Sequence, residues 1–172
     1  MTNKIIAFVL AVLFIFVTAL TYGQKCKYNY KRKDRLTGEI SKGTTNFTVE
    51  YWWGLGLHKK GTQYFVATLF YLEGNLLDVI TPEDKIIFKL ENGEIITTYA
   101  NEVYGSRGTT TNQYGVITLF TVRYNITEFD LHKIATTPLT DIIMTFGNRT
   151  FEKNIPAKKG KSFQKKAICI LQ

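Results

Sequence analysis

Alternating apolar and polar positions, dense in β-branched and aromatic residues, recur along most of the chain. Residues of these types pack well on a pleated surface and predict β-strands. The pattern covers 44–53, 62–72, 85–90, 94–100 and 114–126, with two further strands at 141–146 and 149–155. Between the third and fourth strands, Asn92-Gly93 predicts a two-residue hairpin turn whose central positions both need positive φ.

A short helix is indicated after the strand that ends at residue 126. Thr127 is placed to cap its N-terminus, and Asp130 stands three residues later, at the partner position of a capping box. Pro138 ends the helix because the residue before a proline avoids the helical region. The predicted helix spans 127–136 and covers one end or face of the sheet.

The C-terminal segment, residues 157–171, fits two structures. Phe163, Ala167 and Ile170 form a helical stripe, but the apolar residues near the end also fit a strand. Cys169 falls off the helical stripe and slightly favours the strand. The sequence therefore predicts a mainly β fold, an antiparallel sandwich or partly open barrel of about eight strands, with this segment left open.

The N-terminus has the order of a secretory signal peptide. Lys4 is followed by an uncharged apolar run at 5–20 and by small residues before a cleavage point after Gly23. An uncleaved membrane anchor is the alternative, but a helix of this run spans only about 24 Å, against about 30 Å for the hydrocarbon core of a bilayer. We expect a signal peptide at 1–23 and a single exported β-rich domain at 24–172.

The two cysteines stand near the two ends of the expected mature chain. In an exported protein an even pair such as Cys26 and Cys169 is expected to form a disulfide, which would bring the termini together. The alternative is that Cys169 is a small core residue.

The net charge of +8 is unevenly distributed. Basic residues concentrate at 25–35 and 156–172, while the chain between them is mildly acidic. If the disulfide forms, both basic runs share one face and attract anions; the alternative is that lysine-rich ends keep the protein soluble. The candidate contact residues are Lys31, Arg32, Lys33, Lys158, Lys159, Lys165 and Lys166.

Two adjacent tryptophans form a second candidate binding feature. If 44–53 is one strand, Trp52 and Trp53 point to opposite faces of the sheet. One is then a core residue, and the other can stack on a sugar ring or anchor a protein partner. The alternative is a strand buried on both faces.

Three stretches carry a family resemblance. Gly23-Gln24, Lys33 to Gly38, and the helix entry at 124–127 leading to 138–142 resemble small uncharacterised exported proteins of Bacteroidota. The resemblance implies a periplasmic or cell-surface location in a Gram-negative envelope, and it implies no activity and no site residues. In a eukaryotic source, the sequons at 46–48, 125–127 and 148–150 become glycosylation acceptors instead.

Residue patterns typical of catalysis are absent from the sequence. His58 and His132 lie in different elements without the spacing of a metal site, and both are expected at the surface, His58 in a loop rich in glycine and lysine. No phosphate loop, dinucleotide fingerprint or calcium loop occurs. The sequence therefore predicts no catalytic residue, no metal and no cofactor.

The leading hypothesis is an exported, non-catalytic binding or envelope-associated module. Its basic termini would contact an anionic glycolipid, an anionic polysaccharide or an acidic protein surface, and export argues against nucleic acid as the partner. The alternative is an inhibitor of a secreted hydrolase that acts through a protruding loop at 104–113. An enzyme is the third hypothesis and would need His58 or His132 beside a carboxylate in a pocket.

Overall fold

The computed structural model describes residues 26–74, 76, 79–112 and 115–172, so the expected signal peptide at 1–23 lies outside the described residues. The predicted mainly β fold is confirmed. The elements are β1 (Tyr28–Lys33), β2 (Ile40–Thr44), β3 (Phe47–Glu50), β4 (Trp53–Lys60), β5 (Gln63–Glu73), β6 (Lys85–Leu90), β7 (Ile95–Ala100), β8 (Gly108–Asn112), β9 (Gly115–Ile126), α1 (Glu128–Thr136), β10 (Leu139–Phe146), β11 (Arg149–Asn154) and α2 (Ala157–Leu171).

All these strands belong to one antiparallel sheet that does not close into a barrel. Its main order is β1-β2-β4-β5-β9-β7-β6-β10-β11. β2 and β3 follow each other along the same edge of β4, since β5 pairs with the whole of the other edge. Among the described strands, β8 pairs with β9 alone and extends the sheet as a side hairpin. The eleven strands of the described chain exceed the predicted eight, mainly because β1, β2 and β8 are short and polar.

The core lies on one face of the curved sheet. Along β5, every second residue is buried, as a half-buried strand requires: Tyr64, Val66, Thr68, Phe70 and Leu72. The same alternation runs along β9. We call the core side of the sheet its concave face and the other side its convex face.

Residues 157–171 form a helix, so the strand alternative for this segment is wrong. α2 packs on the concave face, where Phe163 lies 5.0 Å from Phe47 and 5.9 Å from Phe88, measured between ring centres. Its predicted helical stripe is buried against the core. Cys169 is buried beside that stripe, where its sulfur is bonded to Cys26 and Tyr28 contacts its carbonyl.

The predicted α1 is confirmed with its boundaries. The Thr127 hydroxyl oxygen accepts a hydrogen bond from the Asp130 amide at 3.0 Å, which caps the first turn. Thr137 has extended backbone angles, and the helix ends there, before Pro138. Within the described residues, no helix is both long and apolar enough to span a membrane.

The hairpin between β6 and β7 exists, but its predicted turn type is wrong. Gly93 has a φ of 86°, whereas no non-glycine residue described has positive φ. The Gly93 amide donates to the Leu90 carbonyl at 2.9 Å, and the Leu90 amide donates to the Glu94 carbonyl at 2.9 Å. This pattern is a three-residue loop with one left-handed glycine, a geometry that also fits the strand twist.

Candidate functional site

The disulfide predicted between Cys26 and Cys169 is present, with 5.5 Å between their Cα atoms. It joins the chain just before β1 to the last turn of α2. The Tyr28 hydroxyl reinforces this contact by donating to the Cys169 carbonyl at 2.8 Å. The two basic ends of the chain are therefore neighbours.

Strand alternation nevertheless divides the cations of β1 between two faces. Arg32 pairs with Ser41 on the convex side, while Lys31 is in register with Lys42 and points to the concave side. Lys33 follows Lys31 on the concave side, where the strand extends beyond the core, and all three cations are exposed. The expected single basic face is thus split at β1.

The one acid of this basic run is occupied by its own turn. Asp34 accepts hydrogen bonds from the amides of Leu36 at 2.9 Å and Thr37 at 2.7 Å. These bonds hold the pKa of the Asp34 carboxyl below its ordinary value. Residues 34–38 therefore form the turn between β1 and β2, and the Asp34 carboxylate stabilises it.

The lysines of α2 fall into two groups. Lys159 donates to the carbonyls of Thr48 at 3.2 Å and Val49 at 3.4 Å, and Lys166 donates to the Thr45 hydroxyl at 2.6 Å. These two candidate contact residues thus hold α2 to the edge of β3 and to the β2–β3 connection.

The other three α2 lysines are exposed at i, i+3 and i+7 and form a line on one helix face. We call this line the α2 lysine stripe, and it consists of Lys158, Lys161 and Lys165. In the part of the chain that the structure describes, no ion pair involves any of them. The stripe runs along a helix about 22 Å long.

A buried lysine, which the sequence reasoning missed, lies where β1 meets the end of α2. Lys42 is 4% exposed, and its Nζ lies 3.4 Å from the Cys169 carbonyl oxygen and 5.6 Å from the centre of the Tyr28 ring. Burial lowers the pKa of Lys42, and the nearby charges of Lys59 and Lys31 lower it further. Lys42 therefore caps the C-terminal end of α2, where the carbonyl groups carry partial negative charge.

The two tryptophans do not point to opposite faces, which corrects the prediction. The predicted strand 44–53 is interrupted, because Tyr51 and Trp52 form the turn between β3 and β4. Trp53 is 2% exposed, and its indole N–H donates to the Thr68 hydroxyl at 2.9 Å. Trp52 stacks on Trp53 with 5.8 Å between ring centres and is half-buried. The turn therefore directs the rings of Trp52 and Trp53 to the same side.

Trp52 contributes to a solvent-accessible groove with a volume of about 910 Å³. We call it the aromatic groove, and its main lining residues are Tyr51, Trp52, Tyr71, Glu73, Arg149 and Phe151. They come from the β3–β4 turn, the end of β5 and the start of β11, which are far apart in the sequence. Only Trp52 carried a signal before folding, so the rest of the groove was not predictable from local patterns.

His58 corrects a second expectation, since it lies within β4 and not in a surface loop. Its ring stacks on Phe65 with 5.2 Å between centres and on Tyr30 with 5.7 Å, on the convex face. Burial lowers the pKa of His58 to about 4, and the positive charge of Arg123 acts in the same direction. His58 is therefore neutral at physiological pH.

Two further polar side chains, His132 and Asp84, lie in different surroundings. His132 is exposed on α1. Asp84 is buried, and its carboxylate accepts from the Thr81 amide at 2.8 Å and from the Gly147 amide at 2.7 Å, so it fastens two turns together. Among the described residues, no group of three or more His, Cys, Asp or Glu side chains is placed to hold a metal ion.

The surface thus offers two features that share no described residue, the α2 lysine stripe and the aromatic groove. The groove adjoins the first residue of β4, whereas the β1–β2 hairpin meets the last, about 23 Å away along the strand. Comparison of the chain with protein-family models, curated proteins and solved structures finds no match, and the two features are interpreted from their own geometry.

Proposed function

We propose that this protein is an exported, non-catalytic binding module, in the periplasm or at the cell surface, that contacts an anionic partner. The partner is an anionic glycolipid, an anionic polysaccharide or an acidic protein surface. The contact surface is the α2 lysine stripe together with Lys31, which is exposed 5.7 Å from the Tyr28 ring at the end of α2.

The observation that carries this proposal is the alignment of the stripe. Three like charges along one exposed helix face repel one another, and among the described residues no carboxylate pairs with them. Such an arrangement adds little to folding, but its summed field attracts anions from beyond contact distance. An anionic partner would relieve the repulsion.

Export is supported by the disulfide. A bond between Cys26 and Cys169 forms and persists in oxidising compartments, such as the periplasm or the cell exterior. The apolar run at 5–20 supplies the route as a signal peptide.

The proposal is tested by binding of residues 24–172 to vesicles that contain anionic glycolipid and to an anionic polysaccharide, each across a salt titration. We expect affinity to fall steeply as the salt concentration rises, because exposed charges are screened within about 10 Å at 0.1 M salt. The triple variant Lys158→Glu, Lys161→Glu and Lys165→Glu should abolish this binding.

A matched control changes the net charge equally elsewhere, with Lys85→Glu and Lys89→Glu on β6 and Arg107→Glu just before β8. The control should retain most of the affinity. Equal losses in the two triple variants would show a response to net charge alone and would overturn the assigned surface. Salt-insensitive binding, or no binding at low salt, would overturn the electrostatic contact itself.

The inhibitor hypothesis keeps one supporting observation. Residues 105–111 are exposed, and among the described strands β8 pairs with β9 alone, so this hairpin lies off the main path of the sheet. It is a hairpin rather than the expected open loop, and Gln113 lies outside the described residues. Replacing 105–112 with a short turn should abolish inhibition of a target hydrolase while leaving the salt-dependent binding unchanged.

A further inference from the structure

We propose that the aromatic groove binds a ring of a neutral oligosaccharide. This goes beyond the proposed function, because the groove lies at the other end of β4 from the β1–β2 hairpin and no lysine is among its described lining residues. A ligand held there would be bound by ring stacking and hydroxyl hydrogen bonds and not by net charge.

The exposed rings of the groove suit the C–H faces of a sugar. Tyr51 is 90% exposed and Tyr71 is 38% exposed, so both present aromatic surface to solvent. Trp52 and Phe151 are half-buried between them. A pyranose ring has two faces rich in C–H groups, and flat aromatic rings are the side chains that cover such faces with large apolar area and little loss of entropy.

The base of the groove is already fixed without a ligand. Trp52 lies edge-to-face against Phe151, with 5.2 Å between ring centres, and stacks on the core residue Trp53. Its carbonyl also accepts from the Tyr71 amide at 2.9 Å, which ties the β3–β4 turn to β5. Binding therefore needs little ordering of these rings, and preorganisation of this kind favours affinity.

Two opposite charges at the groove select the class of ligand. The Glu73 carboxylate can accept hydrogen bonds from hydroxyl groups, and the Arg149 guanidinium can donate them. Because the pair adds no net charge, it favours a neutral molecule rich in hydroxyl groups over an anion, and an acyl chain would offer the exposed Glu73 carboxylate no hydrogen bond. The volume of about 910 Å³ lies within the range of about 300–1,000 Å³ typical of small-molecule sites.

The test uses the chain 24–172 and a panel of neutral hexasaccharides made of α- or β-linked glucose, mannose, galactose or N-acetylglucosamine. Binding is followed by tryptophan fluorescence and by saturation-transfer NMR. We expect saturable binding of at least one member, with affinity unchanged between about 0.05 and 0.5 M salt. Tyr51→Ala and Trp52→Phe should each weaken it, Tyr51→Ala by about tenfold or more, while Tyr51→Phe keeps the ring and stays within about threefold.

The control variant is Tyr99→Ala, which removes a tyrosine that is 51% exposed on β7, outside the groove. It should bind as the wild type does. The proposal is overturned if no panel member binds saturably, if Tyr51→Ala binds normally, or if the groove responds only to neutral lipid vesicles or to self-association. Charge reversal of the α2 lysine stripe should leave neutral-sugar binding intact, so failure of this inference and failure of the proposed function are distinguishable.

Discussion

The hydroxyl group of Tyr30 lies 3.0 Å from Nδ1 of His58, across the convex face of the sheet. The two residues belong to β1 and β4, and Gly43 of the intervening β2 is in register with both. A Cβ atom at Gly43 would lie 2.5 Å from His58 Nδ1, so only glycine allows the two side chains to meet over β2. This contact helps to hold β1, which pairs with β2 alone among the described strands.

The first prediction concerns stability at acidic pH. The pKa of His58 in the folded protein is about 4, below its ordinary value near 6.5. As the pH falls from about 6.5 to 4, the unfolded chain takes up a proton at His58 that the folded chain does not, and folding is weakened. We expect a loss of about 1–2 kcal/mol, less than the full shift implies because the ring is partly exposed.

This contribution is isolated by comparing wild type with His58→Phe in urea denaturation between pH 4 and 8. The variant keeps the ring stack and lacks the titrating group. The difference in the free energy of unfolding between the two proteins should therefore change between about pH 4 and 6.5 and stay constant above pH 7. Parallel pH profiles of wild type and variant would contradict the assignment. Tyr30→Phe, which removes only the hydrogen bond, should lower stability by about 1 kcal/mol.

The second prediction concerns the disulfide. Cys26 and Cys169 are separated by 143 residues, so their bond restricts most of the unfolded chain. The double variant Cys26→Ser and Cys169→Ser should lose about 2–5 kcal/mol in the free energy of unfolding. Urea denaturation of the oxidised wild type and the variant measures this difference, and reduced wild type should match the variant. A difference below about 1 kcal/mol would show that the other contacts of the two termini suffice.

The parts of the fold that sequence predicts are those fixed by local chemistry. β5, β6, β9 and α1 agree with the prediction because alternation and capping act within a few residues. The disulfide is predicted from the even number of cysteines and from the expected export, and neither argument needs a three-dimensional structure. The sequence does not decide between helix and strand for 157–171, because its short apolar run fits both periods. The choice depends on packing against the concave face.

The rest of the candidate site depends on contacts between distant residues. Aromatic residues such as Tyr51 and Trp52 favour strands, so their sequence does not predict a turn. The position of the turn depends on the contact between Trp52 and Phe151, which is distant in the sequence. His58 is surrounded by glycine and lysine in sequence, and its burial arises from the rings of Tyr30 and Phe65 on other strands. Local pattern therefore predicts elements, while the groove and the ring stack require the fold.

The third prediction concerns Lys42, whose buried ammonium group has no carboxylate partner among the residues that the structure describes. Its lowered pKa shows that the fold disfavours the charged form. Lys42→Met keeps the apolar stem and should raise the free energy of unfolding by about 1 kcal/mol at neutral pH.

A pH series checks the cause of this gain. The unfolded chain holds the Lys42 proton more tightly than the folded chain, so raising the pH toward 10.5 should stabilise wild type relative to Lys42→Met and narrow the gap. A variant that is less stable than wild type at neutral pH would show that capping of α2 at the Cys169 carbonyl outweighs the cost of burial.

The fourth prediction concerns Gly160, where α2 packs closely against the backbone of β10. An added Cβ would collide with the backbone carbonyl oxygen of Leu139, which cannot move as a flexible side chain can. Alanine in a helix interior is otherwise better than glycine by about 1 kcal/mol, so helix propensity alone predicts stabilisation. We expect Gly160→Ala to destabilise by about 2 kcal/mol or more, since the clash must shift α2 off the sheet.

The matched control is Gly105→Ala, where an added Cβ meets no atom within 4 Å. It should change the free energy of unfolding by less than about 0.5 kcal/mol, as surface substitutions usually do. Urea denaturation of both variants gives the comparison, and a stabilised Gly160→Ala would show that α2 can move away from Leu139 at little cost. Lys159, the residue before Gly160, holds α2 to β3 by a hydrogen bond to the Thr48 carbonyl. A movement of α2 away from Leu139 should therefore weaken this hydrogen bond and expose the core around Phe163.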